Sequence, residues 1–324
     1  MILTRRGLAA LALIAAGSGA ARAQPGFPNR PVRMVLPQPP GSANDAVARI
    51  IADPMSQALG QPVVVDNRPG ANGTIAVNFL KQQPADGHTL LLSGVSQLSF
   101  NPHLYPNLPY DPVRDFTYVA PVTDAPFILI ASRRSGITSV AQLLDRARAE
   151  PGRITYASAG IGNSTHLSME MIADRAGVQF THVPYAGTGQ ALTSVISGET
   201  DVMILVLGVA LSQVRAGAVV PLAMVAEKRL PVLPDLPTQK EAGIEAPIMP
   251  GWFALLGPAG VPDGPVAAVN AAVRAALADQ TVQKRLAENV LLPIPGSPQD
   301  LRARMERDSA VWGEFIRRRK LQPV

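Results

Sequence analysis

The feature that most constrains this chain is a repeated alternation of short apolar segments with longer amphipathic ones. Residues 202–206 are apolar at every position, which is typical of a strand buried on both faces of a parallel sheet. Residues 42–59 instead space their apolar side chains with helical periodicity, and Gly60 follows as a helix stop. Repeated strand and helix units predict an α/β protein. With 324 residues, the chain is long enough for two α/β lobes.

The same patterns place the other elements. Strands are predicted at 32–36, 63–65, 89–92, 127–130, 154–156, 182–183, 219–225 and 252–256, and helices at 73–82, 140–149, 189–197, 266–278 and 298–318. In such sheets, ligands bind beyond the carboxyl ends of the strands, where several glycine-rich turns of this chain fall.

The first residues are typical of an export signal. Arg5 and Arg6 precede an apolar run over 7–16, and Ala21-Arg22-Ala23 forms a small-residue cleavage site. We expect a signal peptide over 1–23, a mature chain from Gln24 and a periplasmic location. The paired arginines leave general secretion and twin-arginine export both open.

Export also changes what the charge implies. Residues 1–23 carry three arginines and no acid, so the formal net charge falls from +5 to +2 on cleavage. The basic run 317–320 is interpreted as cations that complement the dipole of a C-terminal helix, and no nucleic-acid partner is expected. The absence of cysteine excludes thiol catalysis, disulfides and cysteine metal sites.

A glycine-rich turn, ASAGIGNSTH at 157–166, joins a predicted strand to a predicted helix. Gly162 gives the turn conformational freedom, and Asn163 and Ser164 are good helix N-cap residues. The first backbone N–H groups of a helix have no partner within it and lie at the positive end of its dipole. The turn is therefore suited to an anion, with Ser158, Gly162, Asn163, Ser164 and His166 as candidate contacts.

A second turn, PPGSAND at 39–45, follows the first predicted strand and opens the next helix. Gly41, Ser42 and Asn44 are its candidate ligand contacts. Taken alone, Ser42 or Asn44 could equally be a simple helix cap. Two such helix starts, one from each lobe, predict an anion site in a cleft between the lobes.

The segment HVPYAGTG at 182–189 is a short strand followed by a turn and a helix start. It is interpreted either as an ordinary connection or as a pocket edge. In the second case Tyr185 provides an amphipathic wall.

The familiar catalytic patterns are missing from the sequence. It has no Gly-x-Ser-x-Gly elbow, no Gly-Lys-Ser/Thr phosphate loop and no third glycine of a dinucleotide fingerprint. The four histidines lack metal-ligand spacing, so His166 is interpreted as a hydrogen-bonding or structural residue. We predict no enzyme activity, no cofactor and no metal. A secreted hydrolase built on scattered carboxylates stays an alternative; these are Asp45, Asp66, Glu170 and Asp201.

Taken in order, the motifs resemble those of the Bug family, the substrate-binding proteins of tripartite tricarboxylate transporters. The likeness covers essentially the whole mature chain. The matching segments are FPNRPVR (27–33), PGSAND (40–45), DNRPGA (66–71), ADGHTL (85–90), SAGIGNSTHL (158–167), HVPYAG (182–187) and LPTQKEAG (236–243). Two positions depart from the family pattern: Ser42 replaces a glycine and Asn163 replaces a serine.

The resemblance implies a type II periplasmic-binding-protein fold of two α/β lobes around a ligand cleft. We expect lobe 1 over 24–122 and 227–324, and lobe 2 over 123–226. The resemblance also implies capture of a small carboxylate, a di- or tricarboxylate or an aromatic acid, for the membrane subunits of such a transporter. Tyr185 and Asp201 complete the expected contacts. A monomer is expected, and a binding protein that feeds a two-component sensor stays an alternative.

Overall fold

The computed structural model of the protein describes residues 26–247 and 250–321, so the predicted signal peptide lies outside the described residues. The strands are β1 (Val32–Leu36), β2 (Val63–Asn67), β3 (Thr89–Gly94), β4 (Phe116–Ala125), β5 (Phe127–Ser132), β6 (Thr155–Ser158), β7 (Thr181–Pro184), β8 (Val202–Val206), β9 (Val219–Val225), β10 (Gly251–Pro258) and β11 (Leu292–Pro293). The helices are α1 (Ala43–Leu59), α2 (Thr74–Lys81), α3 (Asn101–Leu104), α4 (Val140–Ala149), α5 (Ser164–Ala176), α6 (Thr188–Ser197), α7 (Leu207–Arg215), α8 (Asp263–Ala278), α9 (Gln280–Glu288) and α10 (Pro298–Arg319).

These elements form two sheets. The six-stranded sheet has the order β11-β4-β10-β3-β1-β2, in which β1, β2 and β3 are parallel and β10 is antiparallel to both neighbours. The five-stranded sheet has the order β7-β6-β8-β5-β9, in which β6, β7 and β8 are parallel and β5 is antiparallel to β8 and β9. Both sheets are therefore mixed.

Each sheet is covered on both faces by helices, because alternate strand residues point to opposite sides. In the first sheet, Met34 packs with α1 and α8, whereas Val35 packs with α2 and α10. In the second sheet, Ile204 packs with α4 and α5, whereas Leu205 packs with α6 and α7. Strand β8 is thus buried on both faces, as its uninterrupted apolar sequence predicts.

The chain crosses between the sheets at two adjacent places. Pro126 alone separates β4 in the first sheet from β5 in the second, and residues 226–250 connect β9 back to β10. Gly251 pairs with Ala125 on one side of the crossing, and Phe127 pairs with Val225 on the other. Two neighbouring crossings of this kind provide a hinge between two lobes.

The segment 226–247 packs against the second sheet. The Met224 N–H donates to the Pro237 carbonyl at 2.9 Å, and the Gln239 N–H donates to the Met224 carbonyl at 2.7 Å. Leu236 and Ile244 are buried in the core of that sheet. The expected lobe boundaries at 122/123 and 226/227 stay a prediction. Within the described ranges, no helix is both long and apolar enough to span a bilayer.

Candidate functional site

A cleft lies between the two lobes, at the carboxyl ends of β1, β3 and β8. Its inner part is a cavity of about 60 Å³. The residues around it are Pro37, Gln38, Ser42, Ala43, Asn44, Gly94, Val95, Ser96, Gln97, Phe127, Asn163, Ser164, Thr165, Thr188, Val206, Val209, Gly251, Trp252 and Phe253. The N-termini of α1 and α5 thus meet at one cavity, although they belong to different sheets. In the described part of the chain, no residue around this inner cavity is charged.

The first-lobe turn is held by its own side chains. Gly41 adopts a φ of 80°, and its N–H donates to Asp45 Oδ2 at 3.1 Å. The Ser42 hydroxyl accepts from the Asp45 N–H at 3.2 Å and so caps α1. The Ser42 hydroxyl therefore takes a structural role in the turn.

Asp45 acts as the anchor of this turn. Burial favours its neutral form, but hydrogen bonds from Arg49, Gly41 and Asn67 outweigh burial and hold the pKa of Asp45 below its ordinary value. The carboxylate therefore stays ionised while bonded within its own lobe. Its bond to Arg49 Nε is 3.0 Å long and its bond to Asn67 Nδ2 is 3.1 Å long.

The second-lobe turn is organised by Asn163, the N-cap of α5. Its Oδ1 accepts from the Thr165 N–H at 3.1 Å, from the Thr165 hydroxyl at 3.3 Å and from the Ser164 hydroxyl at 3.2 Å. Gly162 adopts a φ of 74°, and a Cβ there would lie 2.8 Å from Leu104 of the first lobe. The turn therefore needs glycine both for its backbone and for its close approach to α3.

Ser158 and His166 lie beneath this turn and do not line the inner cavity. The Ser158 hydroxyl lies 2.6 Å from His182 Nε2, and His166 Nδ1 accepts from the Gly162 N–H at 3.1 Å. The two imidazoles stack with ring centroids 4.1 Å apart, and Tyr156 stacks on His182. His166 thus supports the turn through a hydrogen bond.

Acidification is expected to destabilise the protein through this histidine pair. Burial lowers the pKa of His166 from 6.5 to about 4. Burial, reinforced by His166 and opposed by Glu170, lowers the pKa of His182 to about 4 as well. The unfolded chain binds more protons than the folded chain between these values. The contribution of the two neutral histidines to the free energy of unfolding is therefore complete above pH 6.5. It is lost as the pH falls towards about 4.

Denaturant unfolding at pH 7 and pH 5 measures this effect. The double variant His166→Gln/His182→Gln is expected to lose less stability between the two pH values than the unsubstituted protein. An identical loss of stability in both proteins would contradict the role assigned to His166 and His182, since the other titrating groups are common to the two proteins.

The remaining sequence-predicted contacts lie apart from the inner cavity. Tyr185 lines the outer part of the cleft, a cavity of about 300 Å³ that also includes Asn72 and Ile161, and its hydroxyl donates to Glu199 at 3.0 Å. Asp201 precedes β8, so it lies at the opposite end of the sheet from the cleft. There its carboxylate accepts from the N–H and the hydroxyl of Thr155, both at 2.9 Å.

Several cavity residues were not identified from the sequence. Gly94, Ser96 and Gln97 come from the end of β3 and the π-helical turn Ser96–Phe100 that follows it. Such turns often occur at functional sites, but no short sequence pattern marks this one. Thr165 and Thr188 are polar residues in the first turns of α5 and α6. Their position at a helix start that follows a strand was the sequence signal that could have identified them as cavity residues.

Comparison with known proteins identifies the family. The family model described as "Tripartite tricarboxylate transporter family receptor" matches residues 47–321. The chain belongs to this family. It is 31% identical to Protein BugT of Bordetella pertussis over 90% of both chains, which confirms the Bug resemblance. The family is one of solute-binding receptors, so the prediction of no enzyme activity is also confirmed.

Solved structures of the family confirm the type II periplasmic-binding-protein fold. The structure of R. palustris Rpa4515 with adipate has 34% sequence identity and a TM-score of 0.86, and the match covers 90% of this chain and 97% of that one. The structure of MatC (Rpa3494) from Rhodopseudomonas palustris with bound malate has 32% identity and a TM-score of 0.84. That match covers 90% of this chain and all of the other.

Proposed function

We propose that this receptor captures a small carboxylate in the periplasm and delivers it to the membrane subunits of a tripartite tricarboxylate transporter. The observation that carries the proposal is the meeting of two helix N-termini, those of α1 and α5, at one cavity that has no charged side chain among the described residues. A carboxylate that enters this cavity loses water and needs replacement donors. Backbone N–H groups at the positive ends of two helix dipoles supply charge-assisted hydrogen bonds.

The contacts divide into two groups. Ser42, Asn44 and Ser164 line the inner cavity and are the proposed direct contacts, together with Ala43 and Thr165. Gly41, Ser158, Gly162 and His166 hold the two turns in place, and Asn163 both lines the cavity and caps α5. Tyr185 belongs to the outer cleft, and Asp201 is omitted because it lies at the far end of its sheet.

No lysine or arginine of the described ranges lines the inner cavity, and this suits a transport receptor. An arginine or lysine partner would hold the carboxylate by its full charge. Here the donors come from both lobes, so opening the hinge separates them and releases the ligand. Adipate and malate, the ligands named for two relatives, make dicarboxylates the first class to test.

Thermal unfolding with added ligand tests the proposal. The protein, purified from the periplasm of an expressing host, is mixed with graded concentrations of mono-, di- and tricarboxylates and aromatic acids. Binding to the folded state alone raises the melting temperature with ligand concentration. A dose-dependent rise with one class of acid is the expected result. No rise with any acid would contradict carboxylate capture.

Replacing Ser164 by alanine is expected to weaken carboxylate binding by about 1–3 kcal/mol, because Ser164 lines the cavity and its hydroxyl can turn from Asn163 Oδ1 to donate to a charged oxygen. Isothermal titration calorimetry measures the change. Ser212→Ala serves as the control, since Ser212 is an exposed serine on α7 of the same lobe. Equal affinities of both variants would remove Ser164 from the binding site.

A further inference from the structure

The loop at 70–73 has an unusual backbone conformation. Four consecutive residues, Gly70, Ala71, Asn72 and Gly73, adopt positive φ values of 125°, 46°, 46° and 88°. Glycine adopts such angles readily, but an alanine or an asparagine in the left-handed region is strained. Strained backbone persists only where the surrounding structure holds it, and such residues cluster at functional sites. Contacts elsewhere in the fold must therefore hold this loop.

Asn101 provides the main support of the loop. Its side chain is fully buried and bonds to Asn72 at two points. Asn101 Oδ1 accepts from Asn72 Nδ2 at 2.8 Å, and Asn101 Nδ2 donates to the Asn72 carbonyl at 3.2 Å. Gln97 Nε2 donates to the same carbonyl at 3.0 Å. Because the side chain and the carbonyl of Asn72 are fixed together, these bonds stabilise its left-handed conformation.

The loop that Asn101 supports contacts the second lobe. A Cβ at Gly162 would lie 3.2 Å from Asn72 Nδ2, so the Asn72 amide packs against the backbone of the Gly162 turn. Residues 69–73 of the first lobe and 159–161 of the second also line the outer part of the cleft together. Opening of the hinge moves the two lobes apart and breaks this contact. The contact therefore belongs to the closed cleft.

We infer that Asn101 is a positioning residue for ligand capture: it holds Asn72 in the conformation that meets the Gly162 turn and so favours the closed cleft. Asn101 lines neither the inner nor the outer part of the cleft, so it acts through Asn72. The inference rests on the proposed function and adds a residue that regulates the site from outside it. A molecule that contacts both lobes gains affinity from any contact that stabilises the closed form.

The variant Asn101→Leu tests this role, because leucine is of similar size but makes neither bond to Asn72. The probes are adipate, malate and any other acid that raises the melting temperature of the unsubstituted protein. Titration calorimetry on protein purified from the periplasm is expected to show about tenfold weaker binding, the effect of losing one or two hydrogen bonds that favour closure.

Hydrogen exchange without added acid gives a second readout of the same variant. The Gly73 N–H donates to the Gly70 carbonyl at 2.9 Å and closes the loop. Loss of the support from Asn101 is expected to speed exchange over 70–74 more than over the rest of the first lobe. A general loss of stability would instead speed exchange throughout that lobe.

Asn270→Leu is the matched control. Asn270 also belongs to the first lobe, and its Nδ2 donates to the carbonyls of Val119 and Gly296, both at 2.9 Å. It does not line the cleft. This variant loses two hydrogen bonds as well, but it is expected to keep both the affinity of the unsubstituted protein and the slow exchange over 70–74.

Asn72→Ala determines the route by which Asn101 acts. It removes the side chain that meets Gly162 and is expected to weaken binding as well. If Asn101 acts through Asn72, the two substitutions are not independent. The double variant should then bind about as weakly as the weaker of the two single variants.

Three results would overturn the inference. The first is unchanged affinity in Asn101→Leu, or in Asn72→Ala, whose side chain is only half-buried and whose folding does not depend on the Asn101 variant. The second is a double variant whose loss is the sum of the single losses, which places the effect of Asn101 elsewhere; carboxylate capture stands in both cases. The third is a failure of every acid in the panel to bind the unsubstituted protein, which overturns the proposed function and the inference with it.

Discussion

Replacing Arg304 by methionine is expected to lower the free energy of unfolding at pH 7 by about 2–4 kcal/mol, the cost of leaving two largely buried carboxylates, 23% and 16% exposed, without their cation. Arg304 Nη1 forms an ion pair with Asp124 Oδ1 at 2.6 Å. Its Nε lies 4.0 Å from Asp308 Oδ2. The same Asp308 oxygen accepts from Trp252 Nε1 at 2.6 Å. The expected loss is somewhat below that of a fully buried pair because 20% of the Arg304 side chain is exposed.

The loss of unfolding free energy in this variant should depend on pH and be smaller at acidic pH than at pH 7. Burial raises the pKa of Asp124 and of Asp308 above the ordinary value of 3.8, and Arg304 opposes the rise at both. Without Arg304, both pKa values rise further. The destabilisation caused by the two ionised carboxylates is complete above their raised pKa values. It disappears as the pH falls through those pKa values towards 3.8. The variant should therefore approach the unsubstituted protein in stability at acidic pH.

Urea unfolding at pH 7 and pH 4.5 measures both effects. Arg302→Met is the matched control on the same helix, because Arg302 pairs with Glu306 at the surface, where both side chains are about half exposed. Exposed pairs contribute less than about 1 kcal/mol. Equal losses in the two variants, or a difference that does not change with pH, would contradict the role assigned to Arg304.

Replacing Gly208 by alanine is expected to weaken ligand binding at least about tenfold, or about 1.4 kcal/mol. Gly208 lies in the first turn of α7, and a Cβ there would lie only 1.8 Å from the Asn289 carbonyl oxygen. The residues after Asn289 join the lobes: Val290 is buried in the second-lobe core and Leu291 in the first. The backbone has to move away, and opening the cleft is the movement that the hinge allows.

Calorimetry measures the affinity, and small-angle X-ray scattering with saturating ligand measures closure. The variant is expected to keep a larger radius of gyration than the unsubstituted protein. Gly264→Ala is the control: Gly264 also lies in the first turn of a helix, is exposed and has open space around it. Unchanged affinity in Gly208→Ala would show that this contact is unrelated to closure.

The local features of the fold were predictable from the sequence because their signals are contained in a few consecutive residues. The apolar run of β8 is a strand buried on both faces. The turns before α1 and α5 open helices capped by Ser42 and Asn163. In each case the residue types act on their own backbone or on neighbours within one helical turn.

Other elements were missed because their sequence signal is weak. Strand β4 carries Pro121 and alternates apolar with polar residues irregularly, yet it pairs with β10 along its length. The turn Ser96–Phe100 places Gln97 at the cavity, where its side chain bonds to Ser93 and to the Asn72 carbonyl. Strand β4 and the placement of Gln97 depend on partners far away in the chain, β10 and Asn72.

The basic C-terminal run shows what the tertiary structure alone decided. Local reasoning assigned 317–320 to the dipole of α10, but Arg318 also pairs with Asp174 at 2.6 Å, and Arg319 lies 3.8 Å from Glu170. Both acids are on α5, whose N-terminus forms half of the cleft.

Asp201 is a polar residue that the sequence suggested as a ligand contact, but the topology places it at the far end of its sheet, away from the cleft. The sequence by itself determined where α1 and α5 begin, because helix caps depend on short-range bonds. Which turns face each other depends on strand order and on the two crossings near Pro126, which no local segment encodes.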